Sequence, residues 1–69
     1  MKLSELFTSI VQGEKITRDV WITENGYRYL YRDKEMIMMI SGGEFGYNED
    51  NQPYILRSED LLANDWRIY

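Results

Sequence analysis

The chain has 69 residues, a net charge of −4, 14% aromatic residues, and neither cysteine nor histidine. A chain this short reads as one small domain, residues 1–69, that buries only roughly 60% of its unfolded surface, so self-association is an expected source of further burial. Disulfide frameworks, thiolate zinc sites and histidine acid–base catalysis are excluded, and the excess of acids from Glu35 to Asp65 argues against a nonspecific nucleic-acid surface.

Leu3, Leu6, Phe7, Ile10 and Val11 fall at i, i+3, i+4, i+7 and i+8. That spacing predicts an amphipathic helix with all five on one stripe, closed by Gly13 as a left-handed C-cap. Ser4, Glu5, Thr8 and Ser9 interrupt the apolar run that a signal peptide needs, and no run approaches the ~20 residues that span a bilayer. The default expectation is a cytosolic protein with no membrane partner.

Lys15 to Asp19 reads as a short strand, with Ile16 and Arg18 on one side and Thr17 on the other. Asn25-Gly26 is the strongest hairpin signal, since both central positions of a type I′ turn need positive φ. A two-residue loop there opposes Glu24 to Tyr27, Ile22 to Tyr29, Trp21 to Leu30 and Val20 to Tyr31. Val20, Ile22, Tyr27, Tyr29 and Tyr31 then share one face, and Trp21, Thr23, Arg28, Leu30 and Arg32 the other.

Asp33-Lys34 turns the chain into Glu35 to Ile40, whose near-continuous apolar run predicts a central strand covered on both faces, by the helix and by a partner subunit or the following loop. Ser41 to Gln52, with three glycines, two asparagines and three acids, reads as a loop interrupted by Phe45 and Tyr47. Pro53 starts an extended edge segment through Tyr54-Ile55-Leu56. Ser58 is the expected N-cap of a short helical turn, with Glu59 and Asp60 at its start and Leu61-Leu62 packing inward. Asp65 to Tyr69 closes the chain as a strand. The fold class is therefore α+β: an N-terminal helix packed on a small antiparallel sheet, with a short helical turn before the C-terminal strand.

Two constellations carry chemistry. Arg18 and Trp21 could clamp a planar anion between charge and stacking; the alternative is that Trp21 is core and Arg18 pairs with a carboxylate such as Asp65. The Tyr27, Tyr29, Tyr31 ladder is either a nucleobase platform, with Arg28 and Arg32 near a phosphate, or simply the residue type that suits a half-buried pleat. Because the arginines point to the opposite face from the tyrosines, the pattern favours a site assembled between subunits. Glu49-Asp50 and Glu59-Asp60 read as solvated loop and helix-start acids, and no nucleophile–base pair or phosphate loop is present.

The two ends of the chain resemble a known family. Leu6 to Val11, Gly13, Lys15-Ile16, Arg18 and Trp21, with Pro53-Tyr54-Ile55, Ser58, Asp60-Leu61-Leu62-Ala63 and Asp65-Trp66, are similar to the framing motifs of the phage proteins of the second Thoeris anti-defence type, whose relatives include reported anti-CRISPR proteins. Val20 stands where the family usually has glycine, and the middle is shorter. The resemblance implies a homo-oligomer, dimer or tetramer, that holds a cyclic nucleotide or cyclic ADP-ribose-like immune signal in the cytoplasm of the infected bacterial host. It implies no enzyme activity, catalytic residue, cofactor or metal. Trp21 and Tyr29 are expected to stack on the ligand, and Arg18 and Arg28 to contact its phosphate. The rival expectation is a protein–protein inhibitor that blocks a host defence nuclease through Glu44, Phe45, Tyr47, Glu49 and Asp50.

Overall fold

A computed structural model describes residues 1–43 and 49–69. A 3-10 turn at Leu3–Leu6 runs directly into helix α1, Phe7–Val11. Five strands follow, β1 (Ile16–Arg18), β2 (Gly26–Asp33), β3 (Met36–Gly43), β4 (Asp50–Pro53) and β5 (Trp66–Ile68), with helix α2 (Ser58–Leu62) before the last. They form one antiparallel sheet in the order β4-β3-β2-β1-β5. The expected α+β architecture is the one observed.

The opening helix ends as its glycine predicts. Gly13 has φ +96°, its N–H donates to Ile10 O at 3.1 Å, and the Glu14 N–H donates to Ser9 O at 3.0 Å, which together make a Schellman cap. The helix starts differently from expectation. Tighter 3-10 winding places Leu3 directly under Leu6, and the later α turn adds Ile10, so these three are buried. Phe7 and Val11 are rotated off the stripe and left 51% and 58% exposed.

Leu3, Leu6 and Ile10 pack on Ile16, Leu30, Met39 and Trp66, which all lie on one face of the sheet. Trp66 is 1% exposed, and its indole N–H donates to Asp60 O at 2.8 Å, so the largest core side chain is also hydrogen-bonded. The opposite face carries Tyr27, Tyr29 and Tyr31 from β2, with Met38 and Ile40 directly across on β3. The face partition predicted for Tyr27 to Arg32 therefore holds.

The predicted hairpin register does not. Ile16, not Trp21, pairs with Leu30, because Asp19–Trp21 leaves the strand as a 3-10 turn. An isolated bridge joins Thr23 to Gly26, so Glu24-Asn25 occupy the turn, and neither has positive φ. The positive φ of 58° falls instead on Lys34, in the β2–β3 turn closed by Asp33 and Met36. β3 runs on to Gly43, and of its apolar run only Met39 is buried, since the tyrosine face has no second layer among the described residues.

Three further expectations are corrected. Pro53 ends β4 rather than starting a strand, at the sheet edge where its missing N–H costs no ladder bond. Arg57, not Ser58, occupies the N-cap of α2; the Asp60 carboxylate reaches back and accepts the Arg57 N–H at 3.0 Å. Leu61 and Leu62 face outward, 54% and 80% exposed, and Asp60 is the residue of α2 that turns inward. No helix among the described residues is long and apolar enough to cross a membrane.

Candidate functional site

Leaving the β1 strand early has a functional result. The 3-10 turn carries Trp21 over the end of the core face, where its ring meets Trp66 at 5.1 Å and Tyr54 at 5.8 Å, both edge-to-face. The Arg18 and Arg28 guanidinium carbons lie 5.8 and 5.5 Å from the centre of the Trp21 ring. Both distances are within cation–π range.

Trp21 and Arg28 help wall a cleft of about 590 Å³, lined also by Tyr54, Met39, Gln52, Arg57 and Glu59. A volume of this order suits a nucleotide-sized ligand. A smaller hollow of about 330 Å³ lies beyond, lined by Val20, Thr23, Tyr27 and Gly42, with Trp21 and Arg28 as the shared wall.

The cations on and behind the cleft are not equivalent. Arg18 donates through Nε to Asp65 Oδ1 at 2.8 Å, and its terminal nitrogen lies 3.4 Å from Asp60 Oδ1. The hydrogen bond to Asp65 raises the Arg18 guanidinium above its ordinary value against the opposing effect of burial. The carboxylate pair expected as one alternative for Arg18 is present, and the same side chain approaches the Trp21 ring. Arg28 forms no ion pair among the described residues, and Arg57 has only a solvent-exposed contact with Glu59 at 3.9 Å. Arg28 and Arg57 are the cations able to turn toward an anion without breaking a buried bond.

Asp60 organises the back wall. It is 1% exposed and accepts from the Tyr54 hydroxyl at 2.6 Å and from the Arg57 N–H at 3.0 Å. Burial, and then the bond to Asp60, push the Tyr54 phenol up to about 12. Tyr54 therefore stays protonated as a donor throughout the neutral range.

The sequence pattern of the Thoeris anti-defense 2-like domain matches residues 1–69. The chain belongs to the Thoeris anti-defense 2-like domain family. No curated protein and no solved structure gives a significant match. Family membership supports an anti-defence role for this Thoeris anti-defense 2-like domain.

Of the residues singled out in the sequence, Trp21 and Arg28 line one cleft, and Arg18 lies behind it, against the Trp21 ring and Asp60. Tyr29 is placed elsewhere, on the open face, 4.5 Å from Tyr69 and under Lys15 Nζ at 5.0 Å. Tyr27 stacks on Tyr29 at 6.2 Å and its hydroxyl donates to Glu49, a bond that pushes the Tyr27 phenol up to about 12. Of the alternative interface, Glu49 and Asp50 flank and begin β4, while Glu44, Phe45 and Tyr47 lie outside the described residues. Tyr54, Arg57 and Asp60 belong to the same site but were not selected as site residues in the sequence. The signal was there in Pro53-Tyr54-Ile55 and Asp60-Leu61-Leu62-Ala63, since a tyrosine and an aspartate embedded in framing motifs need a reason beyond helix capping.

Proposed function

We propose that this domain binds a nucleotide-derived immune signal, a cyclic nucleotide or cyclic ADP-ribose-like molecule, in the Trp21–Tyr54 cleft and holds it without cleaving it. The observation that carries this reading is the Arg28 guanidinium over the Trp21 ring, in a cleft of about 590 Å³ that Arg57 also lines. A base stacks on the indole, and phosphate oxygens take charge-assisted bonds from the arginines. With the protein at −4 overall, attraction for an anion has to be local to these side chains. Sequestration then works by mass action, lowering free signal where the protein is abundant and its Kd lies below the signalling concentration.

The reading includes a homo-oligomer in the host cytoplasm. Tyr29 lies on the far side of the sheet from Trp21, so it reaches the same ligand only from a second copy. Half-buried Met38, Ile40 and Tyr31 around it form an apolar, aromatic face suited to self-association.

Titration calorimetry against a panel of cyclic dinucleotides and cyclic ADP-ribose isomers tests the reading. Binding at micromolar protein, with the ligand recovered intact and affinity lost in Trp21→Ala and Arg28→Ala, supports it. No heat with any member, or recovery of a hydrolysed ligand, overturns it.

A further inference from the structure

Three of the four groups around the Trp21 ring, Tyr54, Trp66 and Arg18 but not Arg28, are tied to one residue, Asp60. Tyr54 meets the ring edge-on, and its hydroxyl is held by the Asp60 carboxylate at 2.6 Å. Trp66 also meets it edge-to-face, and its indole N–H is held by the Asp60 backbone carbonyl at 2.8 Å. Arg18, over the ring at 5.8 Å, is shared between Asp65 and Asp60. We infer that Asp60 is the positioning residue of the cleft, fixing through Tyr54, Trp66 and Arg18 the plane of the indole on which the ligand stacks. The ligand half of this inference rests on the function proposed above; the geometric half does not.

Helix capping alone does not account for Asp60. A carboxylate 1% exposed is costly unless it is fully bonded, and a cap needs only the Arg57 N–H. The additional donors come from β1, through Arg18, and from the segment after β4, through Tyr54. The Tyr54 backbone N–H is itself fixed to Ile37 O at 2.9 Å, so the bond to Asp60 holds the far end of a side chain already anchored at its root. Trp21 itself lies on a single 3-10 turn closed by the Ile22 N–H to Asp19 O at 3.2 Å, and takes its orientation from the rings and guanidinium around it.

Two substitutions separate positioning from stability. Tyr54→Phe keeps the ring and removes the hydroxyl; Asp60→Asn keeps an acceptor for the capping N–H but removes the charge that faces Arg18. Fluorine NMR of fluorotryptophan-labelled protein gives one resonance for each of the two tryptophans, assigned with Trp66→Phe. The expected result, at a temperature where circular dichroism shows both variants folded, is that the Trp21 resonance shifts or broadens while that of Trp66 stays sharp. Calorimetry with cyclic ADP-ribose and with cyclic di-GMP is expected to show affinity reduced at least about tenfold for whichever the wild type binds. A lower melting temperature with the Trp21 resonance in its wild-type position overturns the inference, as does an unchanged Kd. If the wild type binds neither nucleotide, the proposed function loses support while the Trp21 resonance still decides the role of Asp60. If Asp60→Asn does not fold, Tyr54→Phe decides it alone.

Discussion

Arg18 and Asp65 are joined at 2.8 Å, Nε to Oδ1, across the pairing of β1 with β5. The same guanidinium faces Asp60, which is buried, so removing it leaves a carboxylate with one fewer charged partner in the core. Arg18→Ala is expected to destabilise the fold by about 3 kcal/mol, measured by chemical denaturation. Arg18→Lys, which cannot bridge two carboxylates with a planar fork, recovers only part of that loss.

The same pair makes the fold acid-sensitive. Burial pushes the Asp65 carboxyl up, but the Arg18 hydrogen bond, the Val20 N–H and the Arg18 charge together outweigh it and hold the group below its ordinary 3.8. A carboxyl depressed in the folded state contributes stability that is present above its unfolded value and lost as pH falls through its folded one. Denaturation midpoints are therefore expected to drop below about pH 3.8, with a shallower drop in Asp65→Asn. An equally steep drop in the variant counts against this assignment.

At the alkaline end Tyr54 has the opposite sign. Its phenol, ordinarily at 10.0, is raised to about 12, so the unfolded chain loses that proton first and stability falls as pH rises from 10.0 towards 12. Ultraviolet difference titration is expected to show a late-ionising tyrosine at Tyr54 that is missing in Tyr54→Phe. Tyr27 contributes a second late step through its bond to Glu49, removed by Glu49→Gln.

Lys34 turns β2 into β3 at φ 58°, a conformation that glycine adopts without a Cβ clash. Lys34→Gly is expected to stabilise the protein by about 1 kcal/mol, read as a higher urea midpoint with an unchanged slope. A neutral or negative change would mean that lost backbone entropy outweighs the relieved contact.

Gly42 lies directly opposite Tyr27, and a Cβ there would come within 2.6 Å of the phenol ring. Gly42→Ala is expected to push Tyr27 off Tyr29 and away from Glu49, at a cost of about 1 kcal/mol. The Tyr27 titration should then return toward 10.0. Affinity at the Trp21–Tyr54 cleft, which Tyr27 does not line, should change little.

Where the chain uses local chemistry, its structure was legible in advance. Gly13 as a C-cap, the alternation of tyrosine and arginine along β2, and the strand running on from Glu35 all follow from periods and φ preferences that act within a few residues. The Arg18–Asp65 pair was visible as one of two alternatives. What could not be read was set by partners distant in sequence. Asn25-Gly26 carries the local signal for a type I′ turn, but the pairing of Ile16 with both Leu30 and Ile68 fixes β1 three residues before Trp21 can join the ladder. Leu61 and Leu62 look like inward residues until Asp60, called in by Arg18 and Tyr54, takes the buried side of the turn. The cleft was half legible for the same reason: Trp21 and Arg28 are close in sequence, whereas Tyr54, Arg57 and Asp60 reach them only through the fold.

The placement of β1 between β2 and β5 has a consequence for biosynthesis. Ile16 sits between Leu30 and Ile68, and Trp66, the largest core side chain, is supplied by β5, the last strand of the sheet in chain order. A nascent chain still lacking Asp65 to Tyr69 has an unfilled core, an unpaired β1 edge and no Asp65 for Arg18. Folding therefore waits until this segment has emerged from the ribosome.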